Sequence, residues 1–213
     1  MSVDDDLSKV GSEPSRAFVL PNSVPATPAL SRFVVAMRRM QDLARAAQAD
    51  DTAWNLAAEQ VEAVCETLEP HLAPPGGYGH LGRAVGLPAF GNPLVPPWVV
   101  ESAEPSGDVR VRGEFSRYHV GGNNAVHGGM ISLFYDWVFG QCVVAADRAM
   151  SRTAFLHVDY RGVTPIHKPL EARGRISRLD GRKAFIEAEM TDGNGTVLSQ
   201  ATGLMIQLLP HQP

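Results

Sequence analysis

The chain has 213 residues, 44% of them hydrophobic and 20% charged, with a formal net charge of −4. That length and balance suit one main domain with an appendage and a substantial apolar core. They exclude general nucleic-acid binding, which needs a basic face, and the two cysteines, Cys65 and Cys142, cannot make a disulfide framework. The seven histidines are scattered without zinc-type spacing, so no metal is expected. The start, Met1-Ser2-Val3-Asp4-Asp5-Asp6, is acidic where a signal peptide is basic, and a cytoplasmic location is expected.

Residues 1–25 are polar, carry Pro14, Pro21 and Pro25, and show no sustained period, which predicts a flexible arm. Residues 26–73 change character. Leu30, Phe33, Val34, Met37, Met40 and Leu43 recur at helical spacing, with Thr27 as N-cap and Pro28 at the first helical position. A second helix is predicted from Thr52 to Leu72, capped by Asp50 or Asp51, with Trp54, Leu56, Val61, Val64, Cys65 and Leu68 as its apolar set. The pair reads as a helical hairpin extension. Residues 74–93 form a Pro/Gly-rich linker, irregular by composition, that either wraps the surface or lids a site.

From residue 94 to residue 213 the pattern is strands around one helix. Trp98–Val100 and Val109–Phe115 are short strand candidates. Thr153–Tyr160 alternates, with Ala154, Leu156, Val158 and Tyr160 on one face and Thr153 on the other. Leu170–Leu179, the turn Asp180-Gly181, Lys183–Met190, the turn at Asp192–Gly195 and Val197–Leu209 follow as a hairpin series.

Gly129 to Ala146 is apolar almost all the way round a helical wheel, so the helix is predicted to be buried. Asp136, Gly140 and Gln141 interrupt it, and it does not read as a membrane span. An antiparallel sheet curled round this helix gives an α+β fold. A carboxylate at Asp136, expected inside that core, needs a reason, because an unpaired buried charge is costly. The helix opens with His127-Gly128-Gly129, where free backbone N–H groups point out of the helix start. Amides aimed at a developing oxyanion and an acid further along the helix make a plausible catalytic pair.

The His127-Gly128-Gly129 run, an acid nine residues after the histidine, and the following Thr-Ala-x-Leu-x-Val-x-Tyr-Arg strand resemble the hotdog-fold acyl-CoA thioesterases, of the phenylacetate-pathway and animal thioesterase-superfamily-member types. The resemblance covers residues 94–209 and leaves the helical extension outside. It implies an antiparallel sheet wrapped round the long helix, with Gly128 donating its N–H to the thioester carbonyl and Gly129 as a possible second donor. It further implies Asp136 as general base or nucleophile, with Thr153 holding the water or the carboxylate. Asn123 or Asn124 stands near the position of a family amide residue, and Asn124, His127 and Gly129 are taken with it as substrate-binding. The substrate would be an acyl-CoA, coenzyme A entering only as part of it and no separate cofactor being needed. The protein would self-associate as dimer or tetramer, Gly128 of one subunit facing Asp136 of the other.

Coenzyme A carries phosphates, and Arg161, Lys168, Arg182 and Lys183 at strand ends or turns are candidates to meet them. Ser132 lacks the Gly-x-Ser-x-Gly elbow of a nucleophilic serine. Two alternatives stay open: a hotdog hydratase/dehydratase, and a non-catalytic acyl-CoA-binding protein.

Overall fold

The computed structural model describes residues 22–209. The arm expected over residues 1–25 thus lies outside the described residues as far as residue 21, while Val24–Pro25 (β1) pairs in parallel with Ala84–Val85 (β2). Helix α1 runs Pro28–Ala46 and α2 runs Asp51–Leu68. The caps are side-chain caps: Thr27 Oγ1 accepts from the Leu30 N–H at 3.1 Å, and Asp50 Oδ1 from the Ala53 N–H at 2.9 Å. Predicted as a hairpin, the two helices do not close on one another, and no residue of α2 is buried. Both carry apolar stripes, but the linker Ala47–Asp50 leaves α1 and enters α2 in extended conformation, and α1 spends its inner face on the main domain. There Val34 is buried, the Arg38 guanidinium donates to the Asn92 carbonyl at 2.8 Å, and Asp42 Oδ1 accepts the Tyr118 N–H at 2.8 Å.

The Pro/Gly-rich stretch divides in two. Residues 72–80 are exposed, whereas Ala84, Ala89, Val95 and Trp98 are buried under α1 and against the sheet. The second half therefore packs as wall, not lid.

Strands β3 (Val99–Ala103), β4 (Val109–Gly113), β5 (Ser151–Tyr160), β6 (Leu170–Asp180), β7 (Lys183–Asp192) and β8 (Val197–Gln207) form one antiparallel sheet in the order β3-β4-β6-β7-β8-β5. Helix α3, Gly128–Ala145, lies on its concave face with Phe134, Tyr135, Val138, Phe139 and Cys142 fully buried. Alternation along β4, β6 and β7 places Val109, Val111, Leu170, Ala172, Ala184 and Ile186 under the helix. Two strand glycines set the approach. A Cβ on Gly203 would stand 2.4 Å from the Phe139 ring, and one on Gly174 would stand 2.7 Å from Cys142 Sγ. Tyr135 is held in this core by donating its hydroxyl to the Ser199 carbonyl at 2.8 Å.

The expectation of burial all round α3 fails on one side. Gly129 and Asp136 are exposed, and Ser132, Leu133, Trp137 and Gly140 are half-buried along the same face. One sheet covers only part of a helix circumference, so the apolar residues on the far side have no cover within this chain. Among the described residues no helix is long and apolar enough to cross a membrane.

Candidate active site

The segment that delivers the helix start is tightly made. Val120 and Val126 form an antiparallel bridge, and the Ala125 N–H donates to the Gly122 carbonyl at 3.0 Å across Asn123 and Asn124. Both asparagines have positive φ, 54° and 56°, a conformation asparagine tolerates better than most residues and the signature of a tight reverse turn. That turn is a sufficient reason for the Asn-Asn pair. From it the chain enters His127, whose N–H donates to the His119 carbonyl at 2.9 Å. The His127 carbonyl accepts from Met130 N–H at 2.9 Å, so His127 is held through both its N–H and its carbonyl.

The two glycine amides then diverge. The Gly129 N–H donates to His127 Nδ1 at 3.0 Å and is thereby committed to the histidine that caps the helix. Gly128, at the first helical position, has an N–H with no protein acceptor among the described residues. The second oxyanion donor considered for Gly129 is thus engaged elsewhere, and one amide, that of Gly128, points outward. Tyr160 lies over this start: its hydroxyl donates to the Gly128 carbonyl at 3.0 Å and stands 3.1 Å from Ser132 Oγ. An open cleft of about 450 Å³ runs past it, lined by Tyr118, His119, Val120, His127, Gly129 and Met130. His119 is buried beneath, its Nδ1 accepting the Ser116 N–H at 2.8 Å. Burial lowers its pKa to about 4, with smaller effects from Asp42, which raises it, and Arg38, which lowers it further.

Asp136 lies on the uncovered face of α3, contrary to the dry interior expected for it. Its carboxylate is nevertheless held: Thr153 Oγ1 donates to Asp136 Oδ1 at 2.5 Å. Regular alternation places Thr153 on the opposite face of β5 from Leu156 and Val158. A bulge at Ala154 changes the phase, since Thr153 pairs with Met205 while Phe155 pairs with Leu204. Thr153, Leu156 and Val158 consequently share the helix side, opposite Met205, Gly203 and Ala201. The threonine reaches the acid of its own chain, with no second subunit needed for that contact.

Gly128 and Asp136 are eight residues apart on one helix, a rise of about 12 Å. One chain therefore brings Thr153 to Asp136, and Tyr160 to Gly128, but does not bring the acid to the amide. The basic candidates separate as well. Arg161 follows Tyr160 at the Gly128 end and is tied to Gln200 Oε1 at 3.3 Å and Asp159 Oδ2 at 3.4 Å. Arg182 and Lys183 lie beside Gln207, the partner of Ser151, at the other end of β5. The nine steps of that strand span about 30 Å. A larger hollow of about 720 Å³ lies on the outer face of the sheet, where Arg110, Arg173 and Arg175 mingle with Glu187 and Glu189. It contains none of Gly128, Asp136, Thr153, Arg161, Arg182 and Lys183, though Asp159 and Gln200 line it, and Arg175 is already paired with Glu187 at 2.7 Å.

Tyr160 and His119 are the residues whose contacts sequence reading left unassigned. Tyr160 stands at the end of the alternating strand, in the phase of Leu156 and Val158, and that phase was the available signal. For His119 there was none.

Comparison with known proteins bears on the same segment. Residues 123–199, which hold Gly128, Asp136 and Thr153, match the family model described as the thioesterase superfamily. The chain is similar to acyl-coenzyme A thioesterase THEM4 of Rattus norvegicus, 33% identical over 90 residues that are 41% of this chain and 38% of that protein. The protein of the same name from Bos taurus is 28% identical over 88 residues, 41% of this chain and 35% of its own. The chain thus spans well under half the length of these curated relatives. A crystal structure of a thioesterase superfamily protein superposes with a TM-score of 0.70 at 26% identity, covering 86% of this chain and 98% of the other. The domain built on the His127-Gly128-Gly129 helix start and the six-stranded sheet has the hotdog fold, and its residues 123–199 are similar to the thioesterase superfamily.

Proposed function

We propose that this protein hydrolyses acyl-coenzyme A thioesters to a carboxylic acid and free coenzyme A. The observation that carries the reading is the Thr153–Asp136 hydrogen bond on a helix face otherwise made of apolar and small residues. A threonine hydroxyl spent on one carboxylate oxygen fixes the group and leaves the other oxygen to take a proton from water. In the reaction, water adds to the thioester carbonyl as Asp136 accepts its proton. The carbonyl oxygen becomes an oxyanion facing the Gly128 N–H, and collapse expels the thiolate, which takes the proton back. Direct attack by the carboxylate, through an anhydride that water then opens, uses the same two groups.

The separation along α3 supports a composite site, with Gly128 from one copy and Asp136 from another across the face their own sheets leave open. The edge strand β5, paired on one side only with β8, offers the join between the two sheets. Arg161, Arg182 and Lys183 then serve the coenzyme A phosphates from different copies, while His127 and Asn124 shape the mouth.

The test is free-thiol release from acyl-CoA esters. Asp136→Asn is expected to lower turnover by about 10²–10⁴-fold while leaving the fold and acyl-CoA binding intact. An unchanged rate removes the reading, and saturable binding without thiol release in the native protein replaces it with the non-catalytic one. Gly128→Pro deletes the amide hydrogen at a helix position that accepts proline. Mixing the two inactive variants is expected to restore about a quarter of native activity if sites form across a twofold interface, and none if they form within one chain.

A further inference from the structure

Helix α2 is the largest part of the molecule to which the reading above gives no role. Its apolar residues Trp54, Ala58, Val61, Cys65 and Leu68, continued by Leu72, are spaced alternately by four and three, the spacing of a helix–helix seam. None is covered: Trp54 is 41% exposed, Val61 40% and Leu68 45%. A single helix of this length is marginal in water without tertiary cover. Its charges are of one sign. Asp51, Glu59, Glu62 and Glu66 lie within α2, and no lysine or arginine does.

The outward face of α1 has the complementary character. Val35, Met40 and Leu43 are exposed there, flanked by Arg32 and Arg39. The one acid of α1, Asp42, is turned inward to the Tyr118 N–H. A basic, apolar face and an acidic, apolar helix are thus present on one chain that does not bring them together, because Ala47 and Asp50 are both extended. We propose that two copies of this chain exchange α2, the α2 of each lying across the outer face of α1 of the other, with Glu62 and Glu66 beside Arg32 and Arg39. The exchange is reciprocal, so it closes on two copies, and it requires nothing of the thioesterase reading.

Cysteine cross-linking decides it, because Cys65 lies on the seam and is exposed while Cys142 is buried. The native chain is mixed with a size-tagged Cys65→Ser/Val35→Cys variant, Val35 being exposed and level with Cys65 when Glu62 lies beside Arg39, and treated with a short bismaleimide. The expected product joins one native chain to one variant chain. Its yield falls at high salt and with Arg39→Glu in the variant, and returns when the other chain carries Glu62→Arg. Native chains cross-linked mainly to each other through Cys65 would mean that α2 pairs with α2. A Val35→Cys chain retaining Cys65 that links within itself would mean a closed hairpin. Either result, or no mixed product, overturns the proposal.

Discussion

Thr153 reaches Asp136 from a strand position that simple alternation assigns to the opposite face, and the extra residue at Ala154 makes that contact. The pairing is a hydroxyl-to-carboxylate bond at 2.5 Å on a half-open helix face, where water screens charge and geometry decides more than field strength.

Removing that hydroxyl is expected to slow, not stop, thiol release. Thr153→Ala should lower kcat by about 10–100-fold, the loss of one charge-assisted hydrogen bond of roughly 1.5–3 kcal/mol. Thr153→Ser should recover most of it. Steady-state kinetics of both variants checks this, and equal defects in the two would remove the hydroxyl from the account.

Tyr160 holds the Gly128 carbonyl without touching the Gly128 N–H. Tyr160→Phe deletes that hydrogen bond, worth about 0.5–1.5 kcal/mol, together with the contact to Ser132 Oγ, and leaves the ring in place. A drop in kcat of about 3–10-fold is expected, with a Tm close to native because the residue is half-exposed. Thermal melts beside thiol-release kinetics separate positioning from stability.

The close seat of α3 on the sheet gives a stability prediction. Gly203→Ala puts a methyl group 2.4 Å from the Phe139 ring, in a core where neither strand nor helix has room to retreat. Overpacking of this kind costs about 1–3 kcal/mol. Urea unfolding should show a lowered midpoint at unchanged slope, and Gly193→Ala, in open space at a turn, should not.

His119 sets an acid limit. Its pKa in the folded protein is about 4, against 6.5 for the free side chain, because burial disfavours the charged ring. The unfolded chain therefore binds a proton that the folded one refuses across that window. Stability from this group is complete above pH 6.5 and is lost as the pH falls toward 4, by on the order of 1–3 kcal/mol. His119→Gln should flatten that arm of the stability curve measured by urea titration at each pH.

Much of the architecture was legible in the residue pattern because it rests on local chemistry. Thr27 and Asp50 cap the helices they precede, Asp180-Gly181 turns its hairpin, and the apolar run after Gly128 is the helix the sheet holds. What was not legible depends on contacts between elements. An all-apolar wheel says that a helix wants cover on every side, not that its own chain supplies it, and so Asp136 was expected in the interior. The commitment of the Gly129 amide to His127 depends on a ring orientation that spacing does not encode. The stripe on α2 predicted a packed hairpin, but where an apolar stripe docks is decided by the path of the linker. Ala154 carried no warning, since an alanine in a strand looks like any other.

That bulge makes the candidate site sensitive to length rather than to identity. Ala154 itself is exposed and replaceable. Deleting Ala154 would remove the extra residue and rotate the Thr153 hydroxyl away from the carboxylate while the neighbouring side chains stayed the same. A family member shortened by one residue at this place would look intact letter by letter and yet have lost its threonine–aspartate pair.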